Sequence, residues 1–211
     1  MSEDMFIDEE RLSNRLEEVR KNEKPLRLLF SGRLNEMKGA MDIVLVAHEL
    51  KKRGLNFQFD ICGGGVLEES MRQYIGDHDL EDCVQLRGIL DFATELVPKI
   101  CDSTDLFVCC HKQGDPSCTY LETFACGVPI AGYLNEAFEG ISERVDAGWG
   151  VKMNDVIGMA TTIERLSKHR DEIATKSVNA LTFSRQHTFE STFERRMQFF
   201  RKCVATDVSG L

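Results

Sequence analysis

The stretch 105–133, "DLFVCCHKQGDPSCTYLETFACGVPIAGY", decides the fold. Its first six residues are short, apolar and β-prone, the pattern of a buried strand. A loop of Gly114, Asp115, Pro116 and Ser117 follows, then a helix-prone segment, "TYLETFAC", then the strand-like "PIAGY". Strand, helix and strand in such close order make a parallel crossover unit. One carboxylate, Glu122, stands in the otherwise apolar helix. Either it lies on a solvated face or it points into a ligand site at the edge of a sheet.

The same alternation extends in both directions. "LRLLFSG" (26–32) precedes a helical pattern over 38–54, with Met41, Ile43, Val44, Ala47 and Leu50 on one face. That helix ends in Lys51, Lys52, Arg53 and Gly54, a cationic last turn and a glycine stop. "FQFDIC" (57–62) runs into Gly63, Gly64 and Gly65 and a helix near 66–75. "CVQLRG" (83–88) precedes a helix near 92–101, in which Pro98 marks a break or bend. After 133, a helix near 137–148, "GWGVKM" (148–153) and a helix over 155–169 continue the series. Six strand–helix pairs with apolar strands predict a Rossmann-like doubly wound parallel α/β sheet in three layers, with C-terminal helices from about 170. Residues 8–24 are charged and weakly apolar and read as a surface helix or linker. The chain therefore divides into 1–24 and a domain over 25–211.

With 211 residues, 42% of them hydrophobic, the chain can bury a substantial core. A net charge of −9 argues against a nucleic-acid partner, because phosphate-binding surfaces usually carry a basic bias. No apolar run approaches the ~20 residues of a membrane span. The start, "MSEDMFIDEERL", lacks the basic and apolar regions of a signal peptide. The eight cysteines include no C-x-x-C pair, so neither a zinc knuckle nor a disulfide framework is expected, and a reducing cytoplasm is the expected setting.

In a sheet of this type ligands bind beyond the carboxyl ends of the strands. The loops there carry Gly32, Arg33 and Lys38 after the first strand and the three glycines after the second. Gly88, Ile89 and Leu90 follow the third, and His111 to Ser117 follow the fourth. Two cations, small residues and a helix start on one edge suit a phosphate-bearing ligand, most simply a nucleotide. Neither G-x-G-x-x-G nor a P-loop is present, and a lone glycine triplet is by itself only a turn. "DHD" (77–79) has the spacing of a metal–nucleotide pair but follows a helix, at the wrong end of the sheet. His111 is open between packing and substrate contact. His48, His78, His169 and His187 read as surface histidines, and Trp149 as a packing residue at a turn.

These loops together resemble the retaining glycosyltransferases of family 4, which have the GT-B fold. "GRLNEMKG" (32–39) is similar to their G-R-L-x-x-x-K-G, "ICGGG" to their strand–glycine turn and "VQLRG" to their V-x-x-x-G. "STDLFVCCHKQGDPSCTYLETFACGVPIAGY" follows their E-x7-E-a-x-a-x-G-x-P-v block, and the resemblance covers about residues 26–205. It implies that Arg33 and Lys38 hold the donor diphosphate and neutralise the leaving group. Gly32, Gly63 and Gly64 would let backbone approach the ligand, and Gly88 to Leu90 would flank the base. Ser117, Cys118 and Thr119 would offer helix-terminal amides to phosphate, and Glu122 would bind ribose hydroxyls. The family's first glutamate falls on Gly114; Asp115, one residue later and a methylene shorter, is the candidate sugar-facing carboxylate.

The resemblance implies a donor-binding domain for hexose transfer from a nucleotide-diphosphate sugar, with no cofactor and no metal. The acceptor, a glycan or glycolipid, would be met through an N-terminal domain absent from this sequence or through a partner chain. Peripheral membrane association of the full enzyme is compatible with that role. A final helix (about 188–205) would then cross toward the other domain, with Phe189, Phe193, Met197, Phe199 and Phe200 as exposed apolar surface. Two other readings stand beside this one: a non-catalytic nucleotide-sugar-binding subunit of a split enzyme, and a nucleotide-sugar epimerase.

Overall fold

Strand and helix alternate along the chain in the computed structural model, which describes residues 5–114 and 117–208. The strands are β1 (Leu26–Ser31), β2 (Phe57–Cys62), β3 (Val84–Gly88), β4 (Leu106–Cys109), β5 (Ile130–Tyr133) and β6 (Gly148–Val151). They form one parallel sheet in the order β3-β2-β1-β4-β5-β6. All four residues of β4 and of β5 are buried, as continuous apolar strands between two helical layers should be.

Alternate side chains of β1 face opposite layers. Leu28 and Phe30 pack with α2 (Ala40–Lys52), α3 (Glu68–Asp77) and α7 (Val156–Lys168). Leu29 packs on the other face with α1 (Glu9–Lys21), α4 (Val97–Ser103), α5 (Cys118–Ala125), α6 (Glu136–Ser142) and α8 (Arg170–Arg185). The expected three-layer α/β architecture is therefore present. β2 and β3 slip in register at Ile61/Cys62.

The stretch 8–24 holds α1, a helix whose outer face is charged and exposed but whose inner face docks. Asp8 caps α1 through Arg11 N at 2.8 Å, and Asn22 closes it in the left-handed region. Leu12, Leu16 and Val19 bury one stripe, and Arg15 is buried with them. The Arg15 guanidinium donates to the carbonyls of Ile100, Cys101, Cys126 and Gly127, which lie at the carboxyl ends of α4 and α5. A cation at two helix C-termini opposes their negative dipole ends.

The irregularity expected at Pro98 is a π-helical turn, Phe92–Leu96, that passes into α4 with the proline in its first turn. Trp149 is half-buried, with Lys176 Nζ 4.5 Å from its ring centroid. The last helix, α9 (Phe189–Val208), exposes Phe189, Phe193, Met197, Phe199 and Phe200.

Candidate functional site

β1 and β4 are neighbours, but the helices that follow them, α2 and α5, cover opposite faces of the sheet. Their carboxyl ends therefore diverge into a crevice, the position at which such sheets bind ligands.

The loop after β1 is tied down on both sides. Gly32 N donates to Cys62 O, and Leu34 N to Gly64 O, each at 3.0 Å; Lys112 N donates to Met37 O at 2.8 Å. Asn35 Oδ1 accepts from Lys38 N at 3.0 Å and closes the short 3-10 turn Glu36–Lys38. That turn leaves Arg33 exposed and Lys38 only 9% exposed, and neither makes an ion pair among the described residues. Gly39 begins α2 at φ +63°, where a Cβ would collide with the Cys110 carbonyl. Gly63, at φ +136°, lies so close to Gly32 that a Cβ would overlap its carbonyl oxygen. Only glycine fits there.

A cavity of about 260 Å³ opens between these loops, lined by Gly32, Arg33, Gly63, Gly64, Ile89 and Leu90 among others. Gly88 sits at its edge in the left-handed region, with its carbonyl accepting from Gly63 N at 2.7 Å. The structure thus brings together residues from three loops that the sequence names separately. Ser117 is the N-cap of α5, yet its hydroxyl makes no capping bond, so no side chain covers the first amides of the helix at Cys118 and Thr119 among the described residues. Glu122, one turn further on, is half-buried and makes no ion pair among the described residues. Burial raises its carboxyl above the ordinary value. A solvated face is therefore not its setting. Asp115 lies outside the described residues.

His111 is 1% exposed and packs edge-on to Phe30 at 6.1 Å and against Tyr120 at 5.9 Å, beneath Gly32. Packing is the reading that the structure gives it. Asp77 and His78 close α3 at the opposite edge of the sheet, where His78 stacks on Tyr74 at 3.9 Å. Among the described residues no group of three potential ligands could hold a metal ion. Cys118 and Cys203 are the exposed cysteines; burial lifts the thiols of Cys62 and Cys109 to about 11.

Two supports of the site escape the sequence reading. Asp42 accepts from Lys112 Nζ at 3.1 Å and from the Tyr133 hydroxyl at 3.0 Å, bracing the loop after β4 against α2 and β5. An aspartate on the apolar face of α2 is the one signal that could have found it. Asn135 caps α6 through Phe138 N at 2.9 Å, and its amide donates to His111 O at 2.9 Å and Tyr120 Oη at 3.0 Å. Its partners are 24 and 15 residues away, and no local pattern marks them.

Comparison with known proteins fits this geometry. The family described as glycosyl transferases group 1 matches residues 13–180. The amylovoran biosynthesis glycosyltransferase AmsK of Erwinia amylovora is 30% identical over 156 residues, 71% of this chain and 38% of the relative. The putative colanic acid biosynthesis glycosyltransferase WcaL of Escherichia coli (strain K12) is 28% identical over 177 residues, 81% of this chain and 43% of the relative. The chain thus spans about two-fifths of the length of these curated relatives. The crystal structure of Anabaena HepE in complex with UDP and glucose superposes with a TM-score of 0.73 at 15% identity, over 99% of this chain and 54% of that one. No helix among the described residues is long and apolar enough to cross a membrane. The ordered motifs and the fold had pointed to one family, and its match over well more than half of the sequence settles membership: the chain belongs to the glycosyl transferases group 1.

Proposed function

We propose that this chain binds a nucleotide-diphosphate sugar and acts as the donor-binding half of a retaining hexosyltransferase in polysaccharide biosynthesis. The observation that carries the reading is Lys38: a lysine only 9% exposed and without an ion-pair partner among the described residues, in a turn bonded to the loop that opens α5. A cation on so sheltered a side chain is screened less than one in open water and gains more from a nearby anion. A diphosphate between Lys38, Arg33 and the uncapped start of α5 is that anion.

In this reading the cations and helix dipole take up the charge that grows on the diphosphate as the anomeric bond breaks. Lys38 contributes more than Arg33, because charges near the interior are screened less than those in water. Glu122 accepts from the ribose hydroxyls, as an acceptor-only group should, and the backbone at Gly88 to Leu90 borders the base. Lys38 and Arg33 do the work for which a metal would otherwise be needed. Retention rests on the family resemblance. AmsK and WcaL, both more than twice the length matched here, are named for amylovoran and colanic acid biosynthesis; in this reading a second domain or partner chain brings a glycan or glycolipid acceptor to this half on the cytoplasmic side.

Calorimetric titration with UDP, GDP and ADP, each with and without magnesium, tests the reading. One diphosphate should bind with micromolar to millimolar affinity. Lys38→Ala should weaken it by roughly 30-fold or more, the scale of a ~2 kcal/mol charge-assisted contact. Arg33→Ala should weaken it only several-fold. Binding indifferent to both substitutions, or no binding at all, refutes the proposal.

A further inference from the structure

Two cysteines meet where α4 and α5 end, away from the crevice. Cys101 lies in the last turn of α4, and Cys126 is the C-cap of α5. Arg15 Nη1 donates to both of their carbonyls, to Cys101 O at 2.8 Å and to Cys126 O at 2.9 Å, so one nitrogen fixes the two backbones against each other. Both side chains belong to the same apolar cluster and are 2% and 0% exposed. The Cys126 thiol donates to the Cys101 sulfur.

The surroundings of the pair are not those of inert thiols. A cavity of about 200 Å³ opens between α1 and α4, lined by Arg11, Asn14, Arg15, Cys101 and Asp102 among others. Arg11 is held there by Asp102 at 2.6 Å. The bond from Cys126 holds the Cys101 thiol below its ordinary value against the opposing effect of burial; Arg11 and Arg15 lower it further, and Asp102 opposes them. The same bond, together with burial, raises Cys126. A buried cysteine is most simply a small apolar side chain. That role accounts for Cys62 and Cys109, whose thiols burial lifts to about 11. It does not account for a second thiol in contact with the first, or for two guanidinium groups beside them.

We propose that Cys101 and Cys126 form a modification site, a thiol pair that hydrogen peroxide closes to a disulfide. Cys101 attacks first. Its sulfur forms a bond to one peroxide oxygen as the O–O bond breaks, giving a sulfenic acid, and the departing hydroxide leaves as water with the proton that Cys101 gave up. The Cys126 sulfur then attacks the Cys101 sulfur. The S–S bond forms, the S–O bond breaks, and the hydroxide released takes the Cys126 proton as a second water. Two thiols and one peroxide become one disulfide and two waters: sulfur is oxidised and peroxide reduced. A cavity of this size holds water, and hydrogen peroxide is little larger, so it reaches Cys101. The bridge joins α4 to α5 across the clasp that Arg15 already makes. This inference stands independently of the donor-binding reading.

The test treats the whole chain with hydrogen peroxide, blocks the remaining thiols in denaturant and maps the peptides without reduction. A Cys118→Ala/Cys203→Ala chain, which lacks the exposed thiols, is treated alongside. In both, the expected product is a peptide pair joined through Cys101 and Cys126, lighter by two hydrogens and separated again by dithiothreitol. In Cys126→Ala the sulfenic acid should persist on Cys101 and be trapped there by dimedone, whereas in Cys101→Ala position 126 should stay reduced and unlabelled. Free thiols at both 101 and 126, after a dose of peroxide that oxidises Cys118 in the wild-type chain, overturn the inference. Dimedone on Cys126 in the Cys101→Ala chain, or Cys101 bridged to any other cysteine, does the same.

Discussion

Arg15 offers the sharpest test of how this domain is held together. Its guanidinium reaches Cys101 O at 2.8 Å, Cys126 O at 2.9 Å and Gly127 O, with a longer contact to Ile100 O at 3.3 Å. Three effective bonds from a charged donor, at roughly 2 kcal/mol each, give about 6 kcal/mol. Against this stands desolvation, which lowers the Arg15 pKa to about 10 and corresponds to roughly 3 kcal/mol for keeping the charge in the interior. The hydrogen bonds win by about 3 kcal/mol. Arg15→Met, similar in length and apolar, should therefore destabilise the domain by about that amount and lower Tm by roughly 6–12 °C. Urea unfolding followed by circular dichroism measures it. The folded pKa lies below that of the unfolded chain, so wild type regains stability only as pH rises through about 10. Between pH 5 and 9 the difference between wild type and variant should be flat. An Arg15→Met protein as stable as wild type would show that desolvation cancels the bonds, and the reasoning would be wrong.

Other expectations follow from the site. Burial raises the Glu122 carboxyl, a contribution to stability that is present at acid pH and lost as pH rises through the folded value. Glu122→Gln should therefore raise Tm at pH 8 more than at pH 4 while weakening diphosphate binding about tenfold; a parallel loss of stability and binding would contradict that. Gly63→Ala forces a Cβ onto the Gly32 carbonyl at φ +136° and should cost more than about 3 kcal/mol or abolish folding; near-wild-type unfolding would refute the close approach. Alkylation by iodoacetamide should label Cys118 and Cys203 first, since the other cysteines are buried or half-buried. A bound diphosphate should protect Cys118 alone, as peptide mapping would read.

The fold was legible because each strand is a short apolar run and each following helix carries its own stop signals, such as Lys51 to Gly54. The site was legible where a residue type is odd for its element, as with Glu122 in an apolar helix, or where cations and glycines recur after strands. What stayed hidden depends on partners that the sequence does not advertise. Arg15 looks like one more charge in a charged run, because the carbonyls that fix it belong to the backbone and could follow any side chain. Asn135 looks like an ordinary helix cap, and its bonds to His111 and Tyr120 exist only once β4 and β5 lie side by side. The π-turn at Phe92–Leu96 turns on where Asp91 caps Thr94 and where Pro98 falls, a balance finer than periodicity resolves.

The strand order leaves β3 and β6 at the two borders of the sheet. β3 turns Gln85 and Arg87 to solvent, the latter held by Asp60 at 2.6 Å, and its pairing with β2 slips near the end. β6 has only four residues, two of them glycine. Short, charged or irregular borders are poor templates for another chain to extend by strand addition. Growth of the sheet into a neighbouring molecule is thereby discouraged at both ends, while the aromatic flank of α9 is apolar surface open to a companion among the described residues.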